Sequence, residues 1–176
     1  MVEFTWKDNP SHYEFRPGIQ KKDEVVLFTH GLGLEMQTWD QVFAILGNEF
    51  SLLRYNFPGH GGRENRLFDS LRTIEADLLS LLNHLQIKKI HLVGHSIGGN
   101  LGLFFSLLHP EMVQSIILIS THIYLPELVY ENMLTNRRIY AAADSLEPFS
   151  KILTPMICLN KSQHPLILES FKKSHY

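Results

Sequence analysis

The chain has 176 residues, with 16 Lys and Arg against 18 Asp and Glu, a formal charge of −2 and 44% hydrophobic residues. That make-up predicts one soluble globular domain with a real core, spanning residues 1–176, and it carries no basic excess that would point to nucleic acid. The longest apolar windows, Leu101 to Leu108 and Ser115 to Ser120, fall far short of the roughly 20 residues that a membrane span needs.

The N-terminal stretch MVEFTWKDNPSHYEF has acidic residues and no long apolar run, unlike a secretory signal peptide. Phe4, Trp6, Tyr13 and Phe15 suggest a weak hairpin against a sheet edge. Val25-Val26-Leu27-Phe28-Thr29 is a continuous apolar run, as expected of a strand buried on both faces. His30-Gly31-Leu32-Gly33 ends it. Trp39, Val42, Phe43 and Leu46 then recur at helical spacing. Ser51 to Tyr55 reads as a second strand, closed by Asn56-Phe57-Pro58-Gly59-His60-Gly61-Gly62. Ile74, Leu78, Leu81, Leu82 and Leu85 form the apolar stripe of an amphipathic helix entered near Ser70. Ile90 to Val93 is a third strand, and a helix over Asn100 to Leu108 follows. Pro110 cannot continue that helix. Val113 to Ile119 gives a fourth strand and Met156 to Leu159 a fifth, with a helix over Leu166 to Lys173 at the end. The single cysteine, Cys158, lies in that fifth run and reads as a buried core thiol, which fits a reducing compartment. The expected location is cytoplasmic. Strands alternating with amphipathic helices predict an α/β fold, a mostly parallel sheet with helices on both faces. Residues 121–150 break that rhythm and read as a short lid.

The segment with the most chemical content is Gly94-His95-Ser96-Ile97-Gly98. Between a strand and a helix, Gly-x-Ser-x-Gly is the context of a nucleophile elbow, in which the glycines let the helix approach the strand and the turn lifts the serine hydroxyl out of the sheet. A serine is not nucleophilic unaided and needs a base, usually oriented by an acid. His30-Gly31-Leu32-Gly33 lacks the glycine spacing of a dinucleotide loop, and no phosphate-binding loop occurs. The scattered histidines form no metal-ligand spacing on one helix face, and acyl transfer at serine needs no organic cofactor.

Three segments in order, VVLFTHGLG, TWDQVFAILGNEFSLLRYNFPGHGGRE and HLVGHSIGGNLGLFFSLLHPEMVQSIILIST, make the chain resemble the α/β-hydrolase superfamily across Val25 to Thr121. The nearest likeness is to enol-lactone hydrolases and small carboxylesterases. The resemblance implies Ser96 as nucleophile and the backbone N–H groups of Leu32 and Ile97 as the oxyanion hole. It implies packing or hydrogen-bonding roles for His30 and His95, and for His60 the role of holding its turn together. Arg54 and Arg63 are expected to pair with nearby acids. The family acid follows the strand matched by Met156 to Leu159, where this chain reads Lys161-Ser162-Gln163-His164-Pro165, so His164 stands at the acid's place. Asp144 precedes that strand and matches a non-catalytic position. The family's base follows one further strand, and the chain stops at Tyr176, which makes the expected fold an incomplete α/β-hydrolase fold. His122 and His164 are the replacement bases that the residues offer.

Three readings follow. The first is a serine hydrolase of small esters, lactones or thioesters. The second is a non-catalytic homologue that binds a small acyl ligand or a protein partner, and the third a truncated product of a longer hydrolase gene. A missing terminal strand leaves a sheet edge through which a homodimer is expected to form.

Overall fold

Alternation of apolar side chains along the central strands feeds two separate cores, one on each face of a sheet. The computed structural model describes residues 12–63 and 70–122. Two compact units divide the chain, one of residues 1–121 with Tyr176 and one of residues 122–175. The fold described is that of the first unit.

The elements run β1 (Tyr13–Arg16), β2 (Lys21–Thr29), a 3-10 turn (Met36–Trp39), α1 (Asp40–Leu46), β3 (Phe50–Tyr55), α2 (Leu71–His84), β4 (Ile90–His95), α3 (Ile97–Leu108) and β5 (Val113–Ile119). The sheet order is β1-β3-β2-β4-β5. β1 is antiparallel to β3, and the β3–β2, β2–β4 and β4–β5 pairs are parallel. The mostly parallel α/β architecture expected from the sequence is therefore present.

Leu27 sits at the centre, paired with Leu53 on one side and Leu92 on the other. It belongs to the larger core with Val25, Ile90, Ile74 and Leu78 of α2, and Leu101 and Phe105 of α3. Phe28 points to the opposite face, where it packs with Leu52, Val93, Trp39 and Phe43. Full burial of each such side chain contributes roughly 1.5–3 kcal/mol. α2 opens at Ser70, whose hydroxyl accepts the Thr73 N–H as an N-cap. α3 and α2 are joined by His109 Nε2 and Glu75 Oε1, 2.7 Å apart.

Several boundaries differ from the sequence expectation. β2 begins at Lys21 rather than Val25, with a register irregularity between those residues that lets a polar, exposed segment extend the strand. β4 continues past Val93 because Gly94 and His95 pair with Leu118 and Ile119 of β5. α3 begins at Ile97 rather than Asn100. Gly98 and Gly99 add nothing to an apolar stripe, yet the Ser96 carbonyl already accepts the amides of Gly99 and Asn100 at 3.0 and 3.2 Å. Of the proposed N-terminal hairpin, Tyr13 and Phe15 form edge strand β1, whereas Phe4 and Trp6 lie outside the described residues. Also outside them are the strand over Met156 to Leu159 with Cys158, the helix over Leu166 to Lys173, Asp144, His164, and the expected lid beyond His122.

Among the described residues β5 ends the strand order, and its Ile117, Leu118 and Ile119 are exposed. No helix among them is long and apolar enough to cross a membrane.

Candidate active site

Ser96 occupies the junction between β4 and α3 with φ 54° and ψ −120°, a conformation that L residues rarely adopt. Such backbone strain persists only where its surroundings over-determine it. Here the Ser96 N–H donates to Ile119 O at 2.9 Å, and the Ser96 carbonyl takes the first amides of α3. The Ser96 side chain makes no capping hydrogen bond to that helix. Capping of α3 therefore does not account for the hydroxyl of this half-buried residue.

Close approach at this junction depends on glycine. A Cβ on Gly94 would lie 2.5 Å from Gly99 Cα, and one on Gly98 would lie 2.6 Å from Thr29 O and 2.7 Å from His30 O. The Thr29 hydroxyl donates to Gly98 O at 3.1 Å. The start of α3 is thus pressed onto the end of β2, directly before the loop that carries Leu32. Ile97 is the first residue of α3, where N–H groups have no intrahelical acceptor. The fold brings Ser96, Ile97 and the Leu32 loop to the same edge of the sheet. His122 is exposed and belongs to the other unit.

The loop after β2 is held by two neutral histidines. His30 is fully buried: its Nδ1–H donates to Gly31 O at 2.8 Å and its Nε2 accepts the Phe57 N–H at 3.0 Å. Burial, helped by His60, pushes its pKa down to about 3. His60 Nδ1 lies 3.2 Å from Pro58 O, and its Nε2 accepts the Gly33 N–H at 3.3 Å. Burial lowers its pKa as well. His60 does hold its own turn, as the resemblance implied, and it also reaches the Leu32 loop.

The arginines pair with acids as expected. Arg54 bonds Glu14 and Asp40, tying β1 and α1 to β3. Arg63 forms a two-pronged bridge to Asp77, both contacts at 2.8 Å, and donates to Asn56 O at 2.7 Å. Burial of Asp77 outweighs Arg63 and holds its carboxyl above the ordinary carboxylate value.

Two features escape a reading by residue type. Asp77 is wholly buried on the apolar side of α2, which its place three residues after Ile74 foreshadows. His95 Nδ1 is buried without a hydrogen-bond partner among the described residues, in a position where a Cβ on Gly31 would lie 2.7 Å away. Burial lowers the His95 pKa, so this nitrogen is an unprotonated acceptor or carries the proton of a neutral ring.

Known proteins share this fold. The alpha/beta hydrolase fold family matches residues 24–150. A serine hydrolase-like protein of Danio rerio is 36% identical over 116 residues, covering 64% of this chain and 35% of that protein. An enol-lactonase from Burkholderia xenovorans LB400 superposes with a TM-score of 0.76 at 20% identity, over 93% of this chain and 64% of the other. A thermophilic esterase from Thermogutta terrifontis gives 0.77 at 23% identity, over 92% of this chain and 59% of the other. The chain thus spans about a third of the length of the Danio rerio relative. With strand order, parallel pairing and sequence in agreement, the chain belongs to the alpha/beta hydrolase fold family and is homologous to its hydrolases and esterases.

Proposed function

We propose that the protein is a serine-dependent hydrolase of small carboxylic esters, lactones or thioesters, with Ser96 as nucleophile in a nucleophile elbow. The observation that carries this reading is the strained backbone of Ser96, combined with a hydroxyl not used to cap α3. Ser96 Oγ attacks the carbonyl carbon and its proton passes to a base. The resulting oxyanion takes hydrogen bonds from the Leu32 and Ile97 amides. Collapse breaks the bond to the leaving alcohol or thiol, which takes the proton back, or opens the lactone ring. Water, deprotonated by the same base, then adds to the acyl-enzyme and releases the acid and free Ser96.

His122 and His164 are the alternative bases proposed, either one completing a Ser–His dyad with Ser96. The Danio rerio relative and the two solved structures support the reaction class.

The test is labelling by a fluorophosphonate probe, comparing the protein with Ser96→Ala. Stoichiometric labelling that vanishes in Ser96→Ala is expected. His122→Ala and His164→Ala then identify the base by which of them slows labelling. A folded, monodisperse protein that takes no label overturns the proposal and leaves ligand binding without catalysis as the surviving role.

A further inference from the structure

Leu32 and Gly33 are the two central residues of a tight turn. The Leu34 N–H donates to Gly31 O at 3.1 Å, and Gly33 has φ +72°. A left-handed third residue is the mark of a type II turn. Type I and type II turns differ by a flip of the peptide between those central residues, here Leu32–Gly33. Something must select the orientation, because Leu32 is 45% exposed and its side chain is not anchored in either core.

His60 makes that selection from a different loop, 27 residues away in sequence. Its Nε2 accepts the Gly33 N–H, the donor on the very peptide that would flip. To accept, Nε2 must be unprotonated. The Pro58 carbonyl can only accept a hydrogen bond, so it places the ring proton on Nδ1 and leaves Nε2 free to receive Gly33. The loop bearing His60 is itself braced on two sides. Asn56 Oδ1 accepts the Met36 N–H at 2.7 Å, just beyond the turn, and Arg63 bonds both Asn56 O and Asp77 of α2. His60 is therefore a fixed acceptor facing a turn whose central peptide has two available orientations.

We propose that His60 is a positioning residue for the reaction above: in its Nδ1–H form it holds the Gly33 amide, locks the Leu32–Gly33 peptide, and so steadies the turn in which the adjoining Gly31–Leu32 peptide carries the Leu32 N–H of the proposed oxyanion hole. This inference rests on the proposed function for its consequence and on the turn geometry for its mechanism. His60 touches no reacting atom. It acts through the turn, in the way that supporting groups hold a constellation within a fraction of an ångström.

The paired variants His60→Asn and His60→Gln separate the two hydrogen bonds. The Asn amide reaches the place of Nδ1, keeping a donor for Pro58 O but offering Gly33 nothing. The Gln amide reaches the place of Nε2 and restores an acceptor. Two quantities are read: hydrogen exchange of the Gly33 amide by NMR, and the rate constant for fluorophosphonate labelling of Ser96. His60→Asn is expected to speed Gly33 exchange about tenfold or more and to slow labelling about 30-fold. His60→Gln is expected to bring both back to within about threefold, because the acceptor rather than the imidazole is what the turn needs. Equal impairment in the two variants, or His60→Asn behaving as the unmodified protein, overturns the proposal. So does an unprotected Gly33 amide in the unmodified protein, with no variant needed. If Ser96 takes no label even in the unmodified protein, the proposed reaction fails on its own, and the Gly33 exchange contrast still decides whether His60 locks the turn.

Discussion

His30 and Phe57 are joined twice: the Phe57 N–H donates to His30 Nε2 at 3.0 Å, and their rings pack at a 37° tilt with centroids 4.1 Å apart. The imidazole is a connector between the loop after β2 and the loop after β3, and it works only while neutral. An imidazolium would point an N–H at the Phe57 N–H.

Acid should therefore loosen this edge of the sheet before it unfolds the rest. His30, His60 and His95 all have pKa values lowered by burial, that of His30 to about 3 from an ordinary 6.5. In the unfolded chain they protonate near 6.5, while the folded chain resists. For His30 the stability contributed is full above that pH and is lost as pH falls toward about 3, with a slope of up to about 1.4 kcal/mol per pH unit, and His60 and His95 act in the same direction. Asp77 works in the opposite sense. Its raised value means that its contribution is full below its ordinary 3.8 and is lost as pH rises through the folded value. Urea denaturation between pH 7 and pH 4 should show stability falling on the acid side, and His30→Gln should flatten that dependence while lowering stability at pH 7 by about 1–3 kcal/mol. A profile flat through this range in the unmodified protein would contradict neutral buried histidines.

Gly98→Ala should be among the most damaging small substitutions. Its Cβ would press on two backbone carbonyls, Thr29 O and His30 O, and neither can rotate away. The helix must shift instead, at a cost of about 2–3 kcal/mol, and with it Ser96 and the Ile97 amide. Gly62→Ala is the control: its Cβ would meet nothing within 4 Å among the described residues, and φ +78° supplies the strain. That should cost about 1–2 kcal/mol. Thermal melts rank the two, and slower fluorophosphonate labelling should accompany Gly98→Ala only.

Removing Asp77 should deprive Arg63 of the Asp77 carboxylate in a mostly buried site, where side-chain exposure is 12% for Arg63 and 0% for Asp77. Asp77→Ala should cost about 3–5 kcal/mol. Asp77→Asn should cost less, since it keeps one acceptor and escapes the burial penalty on a charge that already holds the carboxyl above its ordinary value. Equal losses in chemical denaturation would mean that the charge itself, not the hydrogen bonding, carries the contact.

Ser70→Ala tests a contact that is legible in the chain alone. The Ser70 hydroxyl accepts the Thr73 N–H at 3.4 Å in an exposed position, a long bond. The expected loss is about 0.5–1 kcal/mol, the low end for an N-cap. A melt unchanged by the substitution would show that solvent caps α2 equally well.

Periodicity and punctuation made most of the described framework legible. β5 runs from Val113 to Ile119, as its apolar run predicts, and α2 opens at Ser70. These are local properties, set by side-chain spacing and by hydroxyls beside unpaired amides. The ends of β4 and the beginning of α3 were not legible in the same way. Gly94, Gly98 and Gly99 have no side chain to register in a pattern, and what they do depends on which backbone comes near them.

The site divides along the same line. The serine between its glycines and the strand-turn-helix context around it are written into consecutive residues, so the sequence by itself determined where Ser96 would sit and what family the chain belongs to. Only the tertiary structure decided which atoms serve the histidines and carboxylates. His60 meets Gly33 and Arg63 meets Asp77 because parallel strands deliver separate loops to one edge of a sheet. Protonation states follow from that meeting, since burial and the lone pairs of a neighbouring carbonyl, not residue type, choose where a proton rests.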